Sequence, residues 1–548
     1  MPVDPGITID PAYAADMRTK GYWKDQMLVD LLAQHVAAQP EKVAVVDRKS
    51  THGGARQAYT YRDLDRDSTR IGLGLAAEGI GNGDVVAMQI PNWYEAMAIM
   101  LGCWKIGAII NPLMPIFRKR ELRFMLELAE TKILIVPAEF RGFDHWSLAN
   151  ELAEELPNLT HVHAIGGDFE SHFLDKAWES ETDAAALFAE RRPEAVDFCQ
   201  VIYTSGTTGE PKGALHCQNT LIPSLGSFLD KGLGADDVIF MPSPIAHQTG
   251  FLVGLMLPIV LGGSVALQDI WDGATGVEII AAERCTFTMA STPFLADLTH
   301  APNLSDHDIS SFTGFLCAGA PIPRVLCETA AEKLDCHIMS AWGMTEVGLT
   351  TSTYPGDPPE KVFGTDGRAF AEMEVDVFRD DGSRADADEE GDLKARGAGR
   401  FIGYLKRPNL ADITADGWFD SGDRARMDAD GYIRIVGRSK DIIIRGGENI
   451  PVVEVEEVLY RMPEVEAAAI VAMPDERLGE LGCAFVQCKP GASLTFEEMI
   501  ARLALAEIAK HYWPERLEPI AEMPRTPSGK IQKYVLRDQA VNLTSMRR

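Results

Sequence analysis

The chain has 548 residues and a net charge of −29, with 46% hydrophobic and 24% charged side chains. That length exceeds what one hydrophobic core usually supports, so several domains are expected, and the composition is that of a globular rather than a disordered chain. The acidic balance, with a pI near 4.8, excludes a protein that wraps a nucleic-acid backbone, which needs clustered Lys and Arg.

The first twenty residues carry Asp4, Asp10 and Asp16 among prolines, with no apolar signal core. Short apolar runs at 43–46, 85–90, 108–112, 133–136 and 201–203 predict strands. Helical apolar spacing covers 63–78, 93–105 and 119–129. Strand and helix in alternation predict right-handed crossovers and parallel-rich sheets, an α/β class. Two apolar stretches, 97–117 and 251–267, are broken by Lys105, Asn111, Pro258 and several glycines. They fall short of the roughly 20 uninterrupted apolar residues of a membrane helix and read as core, so no transmembrane segment is expected. The nine cysteines show no zinc-type spacing and suit a reducing, cytoplasmic compartment.

Further along, the acidic segment 378–390 predicts a surface hairpin, and Asp430-Gly431-Tyr432 a tight turn between strands. The pattern restarts with a strand at 442–444, a helix at 453–461, a strand at 467–472 and a helix at 495–510. That is a small α+β unit of its own. The boundary is placed at Lys440, giving domains 1–439 and 440–548.

Residues 203–213, YTSGTTGEPKG, follow an apolar strand. Small residues let the backbone close around a phosphate chain, hydroxyls add donors, and Lys212 adds a point charge. A Walker loop needs G-x-x-x-x-G-K-[ST]; here Pro211 replaces the second Gly and Gly213 the Ser or Thr, which excludes it. The plain alternative, a flexible Gly/Ser/Thr linker, does not account for a lysine at a fixed offset directly after a strand.

This loop, with SAWGMTE at 340–346, DGWFDSGD at 416–423, GRSKD at 437–441 and PRTPSGKIQK at 524–533, occurs in one order along the chain. Together they resemble the superfamily of acyl-CoA synthetases, peptide-synthetase adenylation domains and beetle luciferases. The resemblance implies a large N-terminal domain of parallel-rich α/β sheets plus a distorted β-barrel, followed by a small mobile C-terminal α+β domain. It also implies a two-step reaction. A carboxylate and ATP give acyl-AMP and pyrophosphate, and the thiol of coenzyme A then gives acyl-CoA and AMP.

The same resemblance implies the roles. Thr204, Ser205, Gly206, Thr207, Thr208, Gly209 and Lys212 would bind the ATP phosphates. Gly319, Ala320, Pro321, Trp342, Gly343, Met344 and Thr345 would surround adenine and phosphates, with Trp342 stacking on the base. Glu346 would hold Mg²⁺, Asp423 the ribose hydroxyls, and Arg438 would lie near the ribose and α-phosphate. Lys530 would carry adenylation, holding the carboxylate nucleophile and α-phosphate oxygens. Lys440 falls at the hinge position. Rotation about it would bring Gly446 and Gly447 to the site and open a pantetheine tunnel past His247. Each has a bland reading: a helix-start carboxylate for Glu346, a core indole for Trp342, a turn former for Asp423, a turn histidine for His247, and solvated surface for Lys530. Five motifs in order outweigh them.

Amino-acid-activating relatives carry an Asp where this chain has Ala246-His247-Gln248. An unpaired ammonium in an apolar pocket would be costly, so a non-amino acid is expected, with Phe251, Leu252, Leu255 and Met256 as candidate pocket walls. MPSPIAHQTGF, LQDIWD and KDIIIRGGENI look most similar to bacterial ligases for medium-chain or alicyclic acids. Steroid side-chain and aromatic acids stay open, as does a homodimer. The competing readings are a carrier-protein-loading acyl-AMP ligase, disfavoured because no carrier domain follows to Arg548, a non-catalytic acyl or nucleotide binder, and a luciferase-like oxidase.

Overall fold

The computed structural model describes residues 3–548 except 205–210, 320–321, 439–442, 446–447, 451, 476, 527–528, 542, 544 and 547–548. Two large sheets dominate the first four hundred residues. One runs in the strand order Gly403–Tyr404, Lys212–Cys217, Phe198–Thr204, Ile109–Pro112, Val85–Met88, Ile133–Pro137, His161–Ile165. Its strands from Phe198–Thr204 to His161–Ile165 are parallel, while Lys212–Cys217 returns antiparallel. The other has a parallel centre built from Val43–Asp47, Ser264–Leu267, Val238–Met241, Phe287–Ala290, Gly314–Cys317 and His337–Met344. Antiparallel strands close its ends.

Helix Tyr94–Lys105 touches strands of both sheets, and every residue but Lys105 is buried. A helix apolar on all sides is stable only in such an interior. This accounts for the apolar stretch that begins near Met97. The second stretch forms a wide helical turn, Gly250–Met256, continues as Leu257–Leu261 and ends in strand Ser264–Leu267. No helix among the described residues is long and apolar enough to cross a membrane.

A four-stranded antiparallel sheet, Met373–Phe378, Gly391–Gly397, Phe419–Met427 and Ile433–Arg438, stands where the barrel was expected. It is an open meander among the described residues. The acidic hairpin and the Asp430-Gly431-Tyr432 turn join its strands as predicted. Beyond it lies the small C-terminal unit: strands Val465–Asp475, Gly479–Cys488 and Arg516–Pro519 with helices Val452–Tyr460, Phe496–Leu505 and Lys533–Ala540. It has its own apolar cluster around Ile443, Val455, Leu459 and Met499. The predicted 495–510 helix ends early, at Leu505, because Glu507 takes a left-handed φ of 57°. Such a residue turns the chain out of the α-helix.

Candidate active site

The segment 203–213 links two antiparallel strands. Its neck is described: Thr204 ends one strand, Lys212 opens the next, and the two are paired across it. Ser205, Gly206, Thr207, Thr208 and Gly209 lie outside the described residues, as do Ala320, Pro321, Lys440, Gly446 and Gly447.

Trp342, Gly343 and Met344 end the strand His337–Met344, and Thr345 and Glu346 form the turn before Gly348–Ser352. A Cβ on Gly343 would lie 2.3 Å from the Gly348 carbonyl oxygen, so only glycine lets the two strands approach here. The turn is anchored from below by His216, whose ring accepts from the Thr220 hydroxyl at Nδ1 (3.0 Å) and donates from Nε2 to the Thr345 carbonyl (2.9 Å). Both contacts suit a neutral ring, and burial pushes His216 down to about 4.

Glu346 is 5% exposed, and its Oε1 accepts from the Tyr404 hydroxyl at 2.7 Å. The Tyr404 ring also lies under the Lys212 ammonium, 4.8 Å from Nζ to centroid. One tyrosine therefore joins Lys212 to the carboxylate. Burial, and then the Glu346 charge, raise the Tyr404 phenol above its usual range and keep it a donor.

Asp423 lies in strand Phe419–Met427, in register with Arg438 on the next strand. Its two oxygens are held separately: Oδ1 accepts from Arg438 Nε at 2.7 Å, and Oδ2 from the Trp342 indole at 2.8 Å. Charge-assisted bonds of this kind are worth about 1.5–3 kcal/mol each. They fix the carboxylate while leaving lone pairs for further donors.

Lys530 comes from the C-terminal unit and reaches this group. Its loop is closed by Lys530 N–H to Thr526 Oγ1 (3.0 Å) and Thr526 N–H to the Lys530 carbonyl (2.7 Å). Gly529 takes a φ of +83°, and a Cβ there would sit 2.9 Å from Pro293 Cγ and 3.2 Å from Ser291 Oγ. The lysine Cε lies 3.6 Å from where a Cβ on Gly319 would be. Burial lowers the Lys530 ammonium below its usual range, Arg438 adds to this, and Asp423 and Glu346 oppose it.

His247 belongs to the same neighbourhood: burial first, and the Lys530 charge second, push its ring down to about 3. It is a neutral imidazole through the physiological range. Beside it, Gln248 is 5% exposed with neither amide atom hydrogen-bonded. Phe251, Leu252, Leu255 and Met256 are all buried on the turn that follows.

The geometry thus joins Lys212, Glu346, Asp423, Arg438, Trp342, Gly319, His247 and Lys530. Tyr404 and His216 were missed. Nothing in one sequence marks Tyr404, whereas a histidine within the apolar strand segment Gly213–Cys217 was a readable signal of a buried polar role.

A sequence profile of the AMP-binding enzyme family matches residues 32–405, and one of the AMP-binding enzyme C-terminal domain matches 454–530. The chain is 36% identical over 537 residues to a medium-chain fatty-acid–CoA ligase of Escherichia coli (strain K12), covering 97% of this chain and 93% of that protein. It is 31% identical over 548 residues to a 2-hydroxy-7-methoxy-5-methyl-1-naphthoate–CoA ligase of Streptomyces carzinostaticus, covering 96% and 95%. The structure of ATP-bound MatB from Rhodopseudomonas palustris superposes with a TM-score of 0.81 at 25% identity, covering 94% of this chain and 99% of that one. On sequence and fold alike, the chain belongs to the AMP-binding enzyme family.

Proposed function

We propose that this acyl-CoA ligase activates an apolar, non-amino carboxylic acid, of the medium-chain or alicyclic kind, through an acyl-adenylate. The observation that carries the reading is the convergence of Lys530, from the C-terminal unit, on Asp423, Arg438 and Glu346 of the larger one. An ammonium among two carboxylates and a guanidinium is a balanced cradle for the α-phosphate, ribose and acyl carboxylate of a forming acyl-AMP.

In this reading Thr204 and Lys212 hold the phosphate chain together with loop residues Ser205 to Gly209. Asp423, braced by Trp342 and Arg438, accepts the ribose hydroxyls, and Trp342 with Gly319 to Pro321 and Gly343 to Thr345 frames the base. Glu346 is the residue that would hold Mg²⁺. A buried carboxylate with one oxygen tied to Tyr404 and the other oxygen left for a hard cation fits that ion. Bound with the nucleotide, Mg²⁺ would offset phosphate charge as pyrophosphate leaves. Lys530 orients the carboxylate nucleophile and neutralises charge on the in-line transition state. Neutral His247 lines the path between acyl group and thiol without adding charge. The Gln248 amide offers a polar contact at the head of an otherwise apolar wall.

For the second step, the unit after the hinge at Lys440 turns, withdrawing Lys530 and presenting Gly446 and Gly447 beside a coenzyme A tunnel. Two chemistries that need different surroundings are thereby separated in time. The domain division at 439/440 belongs to this proposal. So does a cytoplasmic location, which nine free cysteines support. The carrier-loading alternative is not favoured, since the relatives are CoA ligases.

Incubation with ATP, Mg²⁺, coenzyme A and a panel of straight-chain, alicyclic, aromatic and amino acids tests the proposal by AMP release and acyl-CoA mass. Medium-chain or alicyclic acids should lead by at least tenfold in kcat/KM. Turnover of amino acids, or acyl-AMP that forms but does not pass to coenzyme A, would overturn it.

A further inference from the structure

Three side chains outside the adenylating site meet at one point. Glu78 caps the helix Tyr61–Ala77, His163 lies mid-way along the edge strand His161–Ile165, and His172 sits in the wide turn Glu170–Leu174. Glu78 Oε1 is 2.9 Å from His163 Nε2 and 3.1 Å from His172 Nε2, and the three ligand atoms lie within 4.8 Å of one another. Zinc bonds of about 2.0–2.2 Å in a tetrahedron put neighbouring ligand atoms about 3.3 Å apart. The two Glu78–histidine separations lie within a few tenths of an ångström of that.

Hydrogen bonding leaves this group incomplete. His172 Nε2 and Glu78 Oε2 are buried without a hydrogen-bond partner, although His172 Nε2 faces the carboxylate. His163 is flanked by acceptors on both sides: Glu78 at Nε2, and Asp168 Oδ2 at Nδ1, 2.8 Å away. A neutral ring can donate to only one of them, so something positive belongs at Nε2. Asp168 is itself fixed by the Ala164 N–H at 2.8 Å. A carboxylate holding the far nitrogen of a histidine is the arrangement that orients metal-bound imidazoles.

We infer that Glu78, His163 and His172 form a binding site for one divalent transition-metal ion of the zinc class, with Asp168 orienting His163. The Glu78 and His163 side chains are 10% and 7% exposed and His172 is 32% exposed, while the His172 Nε2 and Glu78 Oε2 atoms are themselves buried. Lys176, a cation near His172, is occupied by Glu181 (3.3 Å) and by the Trp178 face (3.3 Å). An ion there staples the edge of the seven-stranded sheet to the helix behind it. None of the three ligands belongs to the nucleotide or acyl site, so the role is structural.

The test uses the full chain, stripped with a chelator and titrated with Zn²⁺ against a chromophoric competitor, with Co²⁺ as the spectroscopic probe. One tight ion per chain is expected, with a cobalt spectrum of nitrogen and oxygen ligation and a zinc-dependent rise in Tm. Asp168→Asn should weaken binding by about 10–100-fold at unchanged stoichiometry. His172→Ala and Glu78→Gln should weaken it further and abolish the Tm rise. His172→Gln serves if the alanine variant fails to fold. Zinc bound equally by wild type and all variants, or a cobalt thiolate band from the cysteines, overturns the site. So does a wild type that takes up no ion, which would leave His163 simply protonated.

Discussion

Asp423 and Glu346 show how much of this candidate site depends on the neighbours that brace its carboxylates. Each carboxylate is buried, and each spends one or two lone pairs on a protein donor: Trp342 and Arg438 for Asp423, Tyr404 for Glu346. Tyr404→Phe removes the bond to Glu346 and leaves the ring under Lys212. About 1.5–3 kcal/mol is lost from that carboxylate's anchoring, so adenylation should fall roughly ten- to a hundredfold in pyrophosphate-exchange assays. Parental exchange rates would show that Tyr404 only packs. Lys530→Ala should abolish acyl-adenylate formation yet largely spare thioester formation from pre-made adenylate. Equal loss in both half-reactions would refute the role. Because Lys530 sits below the usual lysine range, the adenylation half-reaction should fade on the alkaline side earlier than an ordinary lysine predicts, as the ammonium loses its proton.

The element that matters most is the loop 524–533, in which Thr526 and Lys530 pair with each other and Lys530 directly follows Gly529. Its fit against Ser291 and Pro293 leaves no room for a side chain at Gly529, where φ is also positive. Gly529→Ala should therefore displace the loop and lower adenylation by at least tenfold, with thioester formation from acyl-AMP nearly unchanged. A proportional drop in both would place the defect elsewhere. The seating is reinforced by helix Val452–Tyr460, whose Glu457 pairs with Arg434 and lies 3.9 Å from Arg324 of the larger unit. A hinge must release these contacts. Lys440→Pro, by locking φ at about −65°, should cost mainly the thioester step, read by single-turnover transfer to coenzyme A. Selective loss of adenylation would remove Lys440 from that role.

On the scale of the whole molecule, an acidic protein of net charge −29 gathers Lys212, Arg438 and Lys530 into one cleft. It also keeps His216 and His247 neutral. His216 is fully buried and held at about 4, against about 6.5 in the unfolded chain. A lowered folded value means that stability is fully present above the unfolded value and is lost as pH falls from about 6.5 toward 4. That loss is on the order of 3 kcal/mol for this one ring. Denaturant unfolding of wild type and His216→Gln should converge as the pH drops through that window, and parallel curves would contradict it. Much of the molecule could be read from its residues alone. The hydrophobic periods placed most strands and helices, and five ordered motifs identified Lys212, Glu346, Asp423 and Lys530, because local pattern and spacing are written in one dimension. Other features needed folded contacts. The pairing of Trp342 with Asp423 spans 81 residues and that of Tyr404 with Glu346 spans 58. The meeting of Glu78 with His163 spans 85. Such partners leave no local signature, since a hydrogen bond across a fold depends on where chains return and not on what lies beside each residue along them.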